Sequence, residues 1–398
     1  MLSQQDIKTV KNTIPVLTAV GSAVTEHFYA RMFKHNPELQ HTFNMTNQKT
    51  GKQKTALFDA IVAYANHLDN LDVLEEAVNR ISNKHASLNI QPNDYDIVGH
   101  HLIETFRELL GDGFTDDIER AWTNAYIQLA NVFIDKEATL YETTEQQVGG
   151  WIGKRAFVVT EKREESELVT SFVLTPQDGK PVISYKPGQY IGVELHPEDH
   201  EYREIRQYSL SDAPCETHYR ISVKRESTPF VGVVSSHLHD NVHEGDILRL
   251  FPPRGDFFLD ERDTPVVLIS AGVGVTPMMA MLETINQRSE NRSVTFLHAC
   301  EGRAQHSFYH RSIEVCWKNN WSVHTWYQNS DDAKKYSVNA GLIDLNCISL
   351  PVKDGHFYLC GPVAFMAFVK SQLVQKGVKE AHIHYEVFGP HDELAMQA

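Results

Sequence analysis

The chain has 398 residues and a formal net charge of −15. That length exceeds one small core and predicts two or three domains. That charge repels a phosphate backbone and argues against nucleic-acid binding. Five cysteines (Cys215, Cys300, Cys316, Cys347 and Cys360) contain no C-x-x-C pair, which argues against a disulfide framework and a built-in iron–sulfur cluster. No stretch is apolar for long enough to span a membrane, and the first residues lack the basic-then-apolar layout of a signal peptide. The expectation is a cytoplasmic protein without stable membrane association.

Residues 1–143 read as helix throughout. Ser3 followed by Asp6 is a capping signal, and Ile7, Val10, Ile14 and Leu17 form a first apolar stripe. Pro15 is expected to bend or end it. A second helix from Gly21 to about Lys34 carries Val24, Phe28 and Met32. A third spans 51–68, with Gln53, Leu57, Ile61, Tyr64 and Leu68 on one side. The stripe Leu71, Leu74, Val78, Ile81 then leads to Lys84-His85, and its spacing puts His85 on the buried face. Pro92 opens a helix in which Tyr95 leads Val98, Leu102 and Phe106. Asp116 opens the last long helix, where Glu137 interrupts the stripe Trp122, Tyr126, Leu129, Phe133, Leu140. Each of the three polar residues alone reads as an ordinary satisfied core group. Together they suggest one site, because an imidazole ligand gains basicity when its far nitrogen donates to a strong acceptor. A haem iron held by His85 is the expectation.

TTEQQVGGWIGK, from 143 to 154, is a linker by composition. Short β-type runs follow (AFVVTEK, LVTSFVLTP, QYIGVEL, QYSLS, YRISVKRE, DILRLFPP), separated by Pro, Gly and Asp, which predicts an antiparallel barrel or sandwich. From Pro265 the pattern becomes buried strands (PVVLISAG, SVTFLHAC, SVHTWY, HFYLCG) alternating with helices, which predicts a parallel sheet covered on both faces. The expected domains are all-α over 1–143, antiparallel β over 151–260 and α/β over 264–398.

Arg206-Gln207-Tyr208-Ser209 ends one β-type run, and strand alternation sends Arg206 and Tyr208 to one face. Arg there can pair a flavin pyrophosphate while Tyr packs on the ring. Gly232-Val233-Val234-Ser235 is a small-residue turn that can turn backbone N–H groups toward a phosphate. Gly272-Val273-Gly274-Val275-Thr276-Pro277 follows an apolar strand and opens a helix, the setting for a dinucleotide pyrophosphate, although the third glycine of the usual fingerprint is absent. Cys360-Gly361-Pro362 ends another strand, and Glu386-Val387-Phe388-Gly389-Pro390 lies near the end of the chain. Phe388 can cover a flavin face or simply pack in the core.

The R-x-Y-S tetrad, the glycine turns, YLCGP and the late FGP resemble the ferredoxin–NADP reductase family. Phe28-Tyr29, Phe43, Gln53, Leu57, Lys84-His85, Tyr95 and Glu137 resemble a bacterial globin. The whole chain is similar to the flavohaemoglobins, a family of nitric oxide dioxygenases. The resemblance implies one haem b, FAD and NAD(P)H as cofactors, and NO and O₂ as substrates, in a monomer. It implies His85 as proximal iron ligand, tuned by Tyr95 and Glu137. Tyr29 would be the distal hydrogen-bond donor with Gln53 beside it; Leu57 would crowd the sixth position, and Phe43 would wedge against the porphyrin. It places Tyr190, Arg206 to Ser209 and Phe388 against FAD, Gly272 to Pro277 at NAD(P)H, and Lys84 and Glu386 near the flavin–haem gap. Val275 and Val387 depart from the Gln and Cys of many members, and Arg225-Glu226-Ser227-Thr228-Pro229-Phe230 from a Gly-rich turn. Two other functions are compatible with the residues: an O₂ sensor or store, and a general reductase regulated by its globin.

Overall fold

A computed structural model describes residues 2–43, 45, 52–198, 200–227, 231–288 and 292–389. The chain divides into two compact units, Met1–Gln146 with Glu194–Arg206, and Gln147–Val193 with Gln207–Ala398.

The first unit is helical. Helix α1 (Gln4–Val20) starts at the Ser3–Asp6 capping box. It runs on through Pro15 and does not end there. Val10 and Leu17 anchor it in the core on either side of that residue, which offsets the missing N–H. Helices α2 (Ala23–His35) and α3 (Lys52–Asn66) follow. The reading of one helix from Leu71 to His85 needs correction. Leu71–Leu74 is a 3₁₀ turn, and α4 begins only at Glu75 and ends at Ser87. A 3₁₀ turn has about three residues per turn, so Leu71 and Leu74 do not continue the helical stripe of Val78, Ile81 and His85. Helix α5 (Pro92–Leu110) opens on Pro92 behind a Gln91–Asp94 capping box, and α6 (Asp116–Glu145) is the longest at 30 residues. Two apolar clusters form. One holds Phe28, Tyr29, Met32, Leu102, Phe106 and Trp122; the other holds Tyr95, Ala130 and Phe133. Tyr126 and Leu129 pack against both.

All six β-type runs become strands: β1 (Arg155–Glu164), β2 (Val169–Pro176), β3 (Tyr190–Leu195), β4 (Glu204–Ser209), β5 (Tyr219–Lys224) and β6 (Ile247–Leu250). They form one sheet in the order β4-β3-β6-β1-β2-β5, with antiparallel pairing and a bulge between Val159 and Glu161.

The last part of the chain is a parallel sheet in the order β10-β9-β8-β7-β11-β12, from β7 (Val266–Ala271), β8 (Val294–Cys300), β9 (Ser322–Tyr327), β10 (Asn339–Ala340), β11 (His356–Cys360) and β12 (Ile383–Glu386). Strand β7 explains its unbroken apolar sequence. Val266 and Leu268 face a cluster with Met278, Met279 and Leu282, while Val267 and Ile269 face one with Met366, Val369 and Leu373. Side chains alternate, so a strand covered by helices on both sides is apolar at every position. Strands β1, β2, β5 and β6 and the whole parallel sheet share one unit, where Ser166 Oγ lies 2.9 Å from Ser307 Oγ and Tyr358 Oη accepts from Asp260 N (2.9 Å). Among the described residues, no helix is long and apolar enough to cross a membrane.

Candidate functional site

His85 sits in the last turn of α4, Tyr95 in the first turn of α5 and Glu137 in the second half of α6. The three meet. His85 Nδ1 lies 2.9 Å from both Tyr95 Oη and Glu137 Oε1, and Tyr95 donates to the same Glu137 oxygen at 2.6 Å. Tyr95 and Glu137 are buried, whereas 32% of the His85 side chain is exposed, more than the sequence pattern implied. Burial, reinforced by the hydrogen bond to Glu137, pushes the Tyr95 phenol pKa far up, so Tyr95 remains a donor. With a carboxylate as partner, Nδ1 is assigned the ring proton, which leaves the Nε2 lone pair for a metal.

Residues that the sequence placed only in an apolar stripe, and Tyr141, hold this trio. Phe133 packs on the His85 ring at 5.6 Å between centroids, and the Tyr126 hydroxyl donates to the Tyr95 carbonyl at 2.6 Å. Tyr126 fits because position 99 is glycine: a Cβ there would overlap its ring. Tyr141 donates to the Ile90 carbonyl at 2.8 Å and fixes the turn between α4 and α5. The signal for Tyr126 was Gly99 itself, since glycine inside a helix is costly and marks close packing.

Tyr29 is buried in the other cluster, in an aromatic group with Phe28, Phe33 and Phe43 at centroid distances of 5.0, 5.8 and 5.9 Å. Phe33, one turn after Tyr29, was not singled out from sequence. Leu57 packs against this cluster, and the Gln53 side chain lies outside the described residues. Lys84 is half-buried in the last turn of α4.

In β4, Arg206 Nη1 lies 2.8 Å from Glu204 Oε2, two residues away on the same face. Gln207 and Tyr208 are half-buried and Ser209 is buried. Tyr190 exchanges backbone hydrogen bonds with Arg254 (2.9 and 2.8 Å), and its ring lies over Gly255, where a Cβ would fall 3.0 Å away. Arg254 and Gly255 carried no sequence signal. Gly232 caps helix α7 (Val233–Asn241), so the expected turn is a helix start with no side-chain cap on its N–H groups. Val234 and Ser235 are buried there. The Ser235 hydroxyl closes the turn by accepting from Glu226 N (3.1 Å) and donating to the Gly232 carbonyl (3.2 Å), and so faces the chain.

The glycine turn and the Cys360 segment converge. The chain leaves β7 toward β8, whereas β11 pairs with the other side of β7, so a crevice opens between their carboxyl ends. Gly272–Gly274 forms a 3₁₀ turn leading into α8 (Val275–Arg288), which contains Thr276 and Pro277. A Cβ at Gly274 would overlap the Cys360 carbonyl, whereas Gly272, at φ +54°, has open space beside it. Val273 lies between them, and Gly361 packs against Ala271. Pro362 caps helix α9 (Val363–Gln375). Glu386 pairs with Cys360 across β12 and β11. Beyond it Val387 is buried, Gly389 has φ +144° and Phe388 is 49% exposed. Burial pushes the Cys360 thiol well up, which keeps it inert.

Comparison with known proteins bears directly on these sites. Residues 26–133 match the globin family, 156–259 the oxidoreductase FAD-binding domain and 268–371 the oxidoreductase NAD-binding domain. A flavohemoprotein of Vibrio cholerae is 54% identical over 397 residues, covering 99% of this chain and 100% of its own. One from Halalkalibacterium halodurans is 44% identical over 404 residues, covering 99% and 98%. A crystal structure of a Malassezia yamatoensis flavohemoglobin with bound FAD and heme is 30% identical, with a TM-score of 0.86 over 98% of this chain and all of that one. The chain belongs to the flavohaemoglobin family. As a flavohaemoglobin it is an NAD(P)H-dependent oxidoreductase whose cofactors are haem, FAD and the nicotinamide nucleotide.

The residues of this flavohaemoglobin fit those groups. Haem needs an imidazole with one nitrogen engaged and one available, and His85 is held that way. The nicotinamide nucleotide needs backbone that a phosphate can approach, and the open side of Gly272 provides it.

The trio yields a first prediction. Glu137→Gln keeps the shape but removes the acidic acceptor, so haem should stay bound while turnover falls about tenfold or more. Wild-type turnover in a haem-replete variant sinks the tuned-ligand argument. A second prediction concerns acid. His298 is fully buried with Ser270 Oγ 2.9 Å from its Nδ1, and burial pulls it down to about 4. Burial also holds His306 well below its usual range and brings His384 to about 4. Unfolded, each protonates near 6.5. The unfolded chain therefore binds more protons between about pH 6.5 and 4, and stability falls as pH drops through that window. Calorimetry should show a melting temperature several degrees lower at pH 5 than at pH 7; equal values contradict the argument.

Proposed function

We propose that this flavohaemoglobin is a nitric oxide dioxygenase: electrons from NAD(P)H pass through FAD to haem, and NO and O₂ become nitrate. The observation that carries the reading is the His85–Tyr95–Glu137 trio, in one chain with FAD-binding and NAD-binding domains. A solved FAD/NAD-binding domain of a Vibrio cholerae nitric oxide dioxygenase supports it, at 50% identity and a TM-score of 0.56 over 59% of this chain and 99% of that one.

When bound, haem and FAD supply the redox chemistry, and the protein sets ligand basicity, access and orientation. Glu137 accepts the hydrogen bond from His85 Nδ1–H, which would strengthen Nε2 as a donor to iron. Tyr95 fixes the Glu137 oxygen from its other side. In this reading Tyr29 would offer a polar group to a ligand of the haem, and Leu57 and Phe43 an apolar wall. Tyr190, Arg206 to Ser209, the α7 N-terminus at Gly232 to Ser235, and Phe388 hold FAD. Gly272 to Pro277, Cys360 to Pro362, and Val387 with Gly389 line the nicotinamide site. The domains fall at 1–143, 151–260 and 264–398, in a cytoplasmic monomer that binds neither nucleic acid nor membrane.

The test is nitrate formation from NO and O₂ by haem- and FAD-loaded protein with NADH. Fast O₂-dependent nitrate production supports the dioxygenase. NADH oxidation at one rate with or without NO, and no nitrate, leaves a sensor or a general reductase.

A further inference from the structure

The loop between β4 and β5 carries chemistry that the haem and flavin sites do not use. Cys215 is half-buried there, and its sulfur lies 3.4 Å from His218 Nδ1 and 3.6 Å from Thr217 Oγ1. The backbone N–H groups of Thr217 and His218 also point to that sulfur. As a thiol it can also donate to the His218 carbonyl at 3.3 Å, the one of these contacts that favours the protonated form. The loop is held in shape from outside. Tyr185 donates to the Asp212 carbonyl, the Glu216 carbonyl accepts from Val182 N (3.0 Å), and Arg220 pairs with Asp212 at 3.3 Å.

Two side-chain and two backbone donors around one sulfur favour the anion over the thiol. We propose that Cys215 and His218 form a thiolate–imidazolium pair that makes Cys215 a site of oxidation by hydroperoxides. The thiolate sulfur attacks one peroxide oxygen as the O–O bond breaks. The other oxygen leaves as hydroxide from hydrogen peroxide, or as alkoxide from an organic hydroperoxide, and takes the His218 proton to become water or an alcohol. Sulfur loses two electrons and becomes a sulfenic acid, and the peroxide gains them. A small oxidant suits a half-buried sulfur.

The electrostatics agree. Burial pushes the Cys215 thiol up, but the His218 ring, Thr217 and the two backbone donors outweigh it and bring it down to about 6. The hydrogen bond to Cys215 raises His218; Asp212 adds to the rise, and burial and Arg220 oppose it. Cys215 also acts electrostatically on Tyr185 and Tyr219, whose phenols burial raises and so keeps neutral.

Cys347 is an internal control, because it is exposed and its sulfur donates to the Asp344 carbonyl at 2.9 Å. At pH 6.5 a thiol titrating near 6 is mostly thiolate, whereas an ordinary one near 8.5 is about 1% thiolate. The lower nucleophilicity of the more acidic sulfur offsets roughly tenfold of that difference, leaving about fivefold. The experiment is iodoacetamide alkylation of the full-length holoprotein from pH 5 to 9, read by mass spectrometry at both cysteines. It is paired with dimedone trapping after one equivalent of hydrogen peroxide at pH 7. Cys215 should alkylate about fivefold faster than Cys347 at pH 6.5 and carry the dimedone adduct. His218→Asn should shift the Cys215 alkylation midpoint upward by about one unit or more. Slower alkylation of Cys215 than of Cys347 in the wild type, or no dimedone adduct at Cys215, overturns the proposal without need of the variant.

Discussion

His85→Ala is expected to lower O₂-dependent NO consumption by roughly two orders of magnitude or more, while NADH-driven reduction of a soluble acceptor stays within about twofold. The asymmetry follows from where the residue sits. His85 belongs to the helical unit and to the hydrogen-bonded trio with Tyr95 and Glu137. The strand ends that form the nicotinamide crevice belong to the other unit. Alanine removes the imidazole and leaves Glu137 Oε1 with Tyr95 as partner, so the fold keeps a satisfied carboxylate. Loss of both activities together would mean that His85 holds the fold rather than the haem. Retention of NO consumption in a haem-replete variant would refute His85 as the ligand.

Gly274→Ala should have the second large effect, on the opposite half of the reaction. The added methyl meets the Cys360 carbonyl and the Gly361 amide. Both are backbone atoms, so no side chain can swing aside. Strands β7 and β11 are paired along this edge, which ties any relief to movement of the crevice. Overpacking of this kind costs about 1–3 kcal/mol, which is roughly 5- to 100-fold in nucleotide affinity or flavin reduction rate. Stopped-flow reduction of the flavin by NADH reads it directly, and the haem spectrum should not change. Gly272→Ala differs in kind: no protein atom lies within reach of its new methyl, which would instead occupy the side left open for a phosphate, at a backbone φ of +54°. Gly274 has no left-handed φ, so an undisturbed flavin reduction rate in Gly274→Ala refutes the Cys360 contact as its requirement.

Much of this was legible in the sequence because the informative residues violate their surroundings. Glu137 interrupts an apolar helical stripe, and Tyr95 and His85 do the same in neighbouring helices; the structure brings the three together. The strand runs were readable because side-chain alternation and two-sided burial leave distinct signatures, as β7 shows. Phe33 and Tyr126 look like any core aromatic, and only their neighbours give them a task. The helix boundary at Glu75 was hidden because a 3₁₀ turn and an α-helix share nearly the same apolar spacing over four residues. The contact of Gly274 with Cys360 depends on which strands become neighbours, a non-local fact that no window of sequence contains.

The packing of Tyr126 on Gly99 has an evolutionary consequence. A side chain at position 99 collides with the ring, and loss of the ring frees the Tyr95 carbonyl from its hydrogen bond. Neither position can drift alone without disturbing the residue that steadies His85. In an alignment of relatives the two columns should covary, so that chains with a larger residue at 99 carry a smaller one at 126. Lineages free to vary at one while holding the other fixed would show that the trio tolerates a looser foundation.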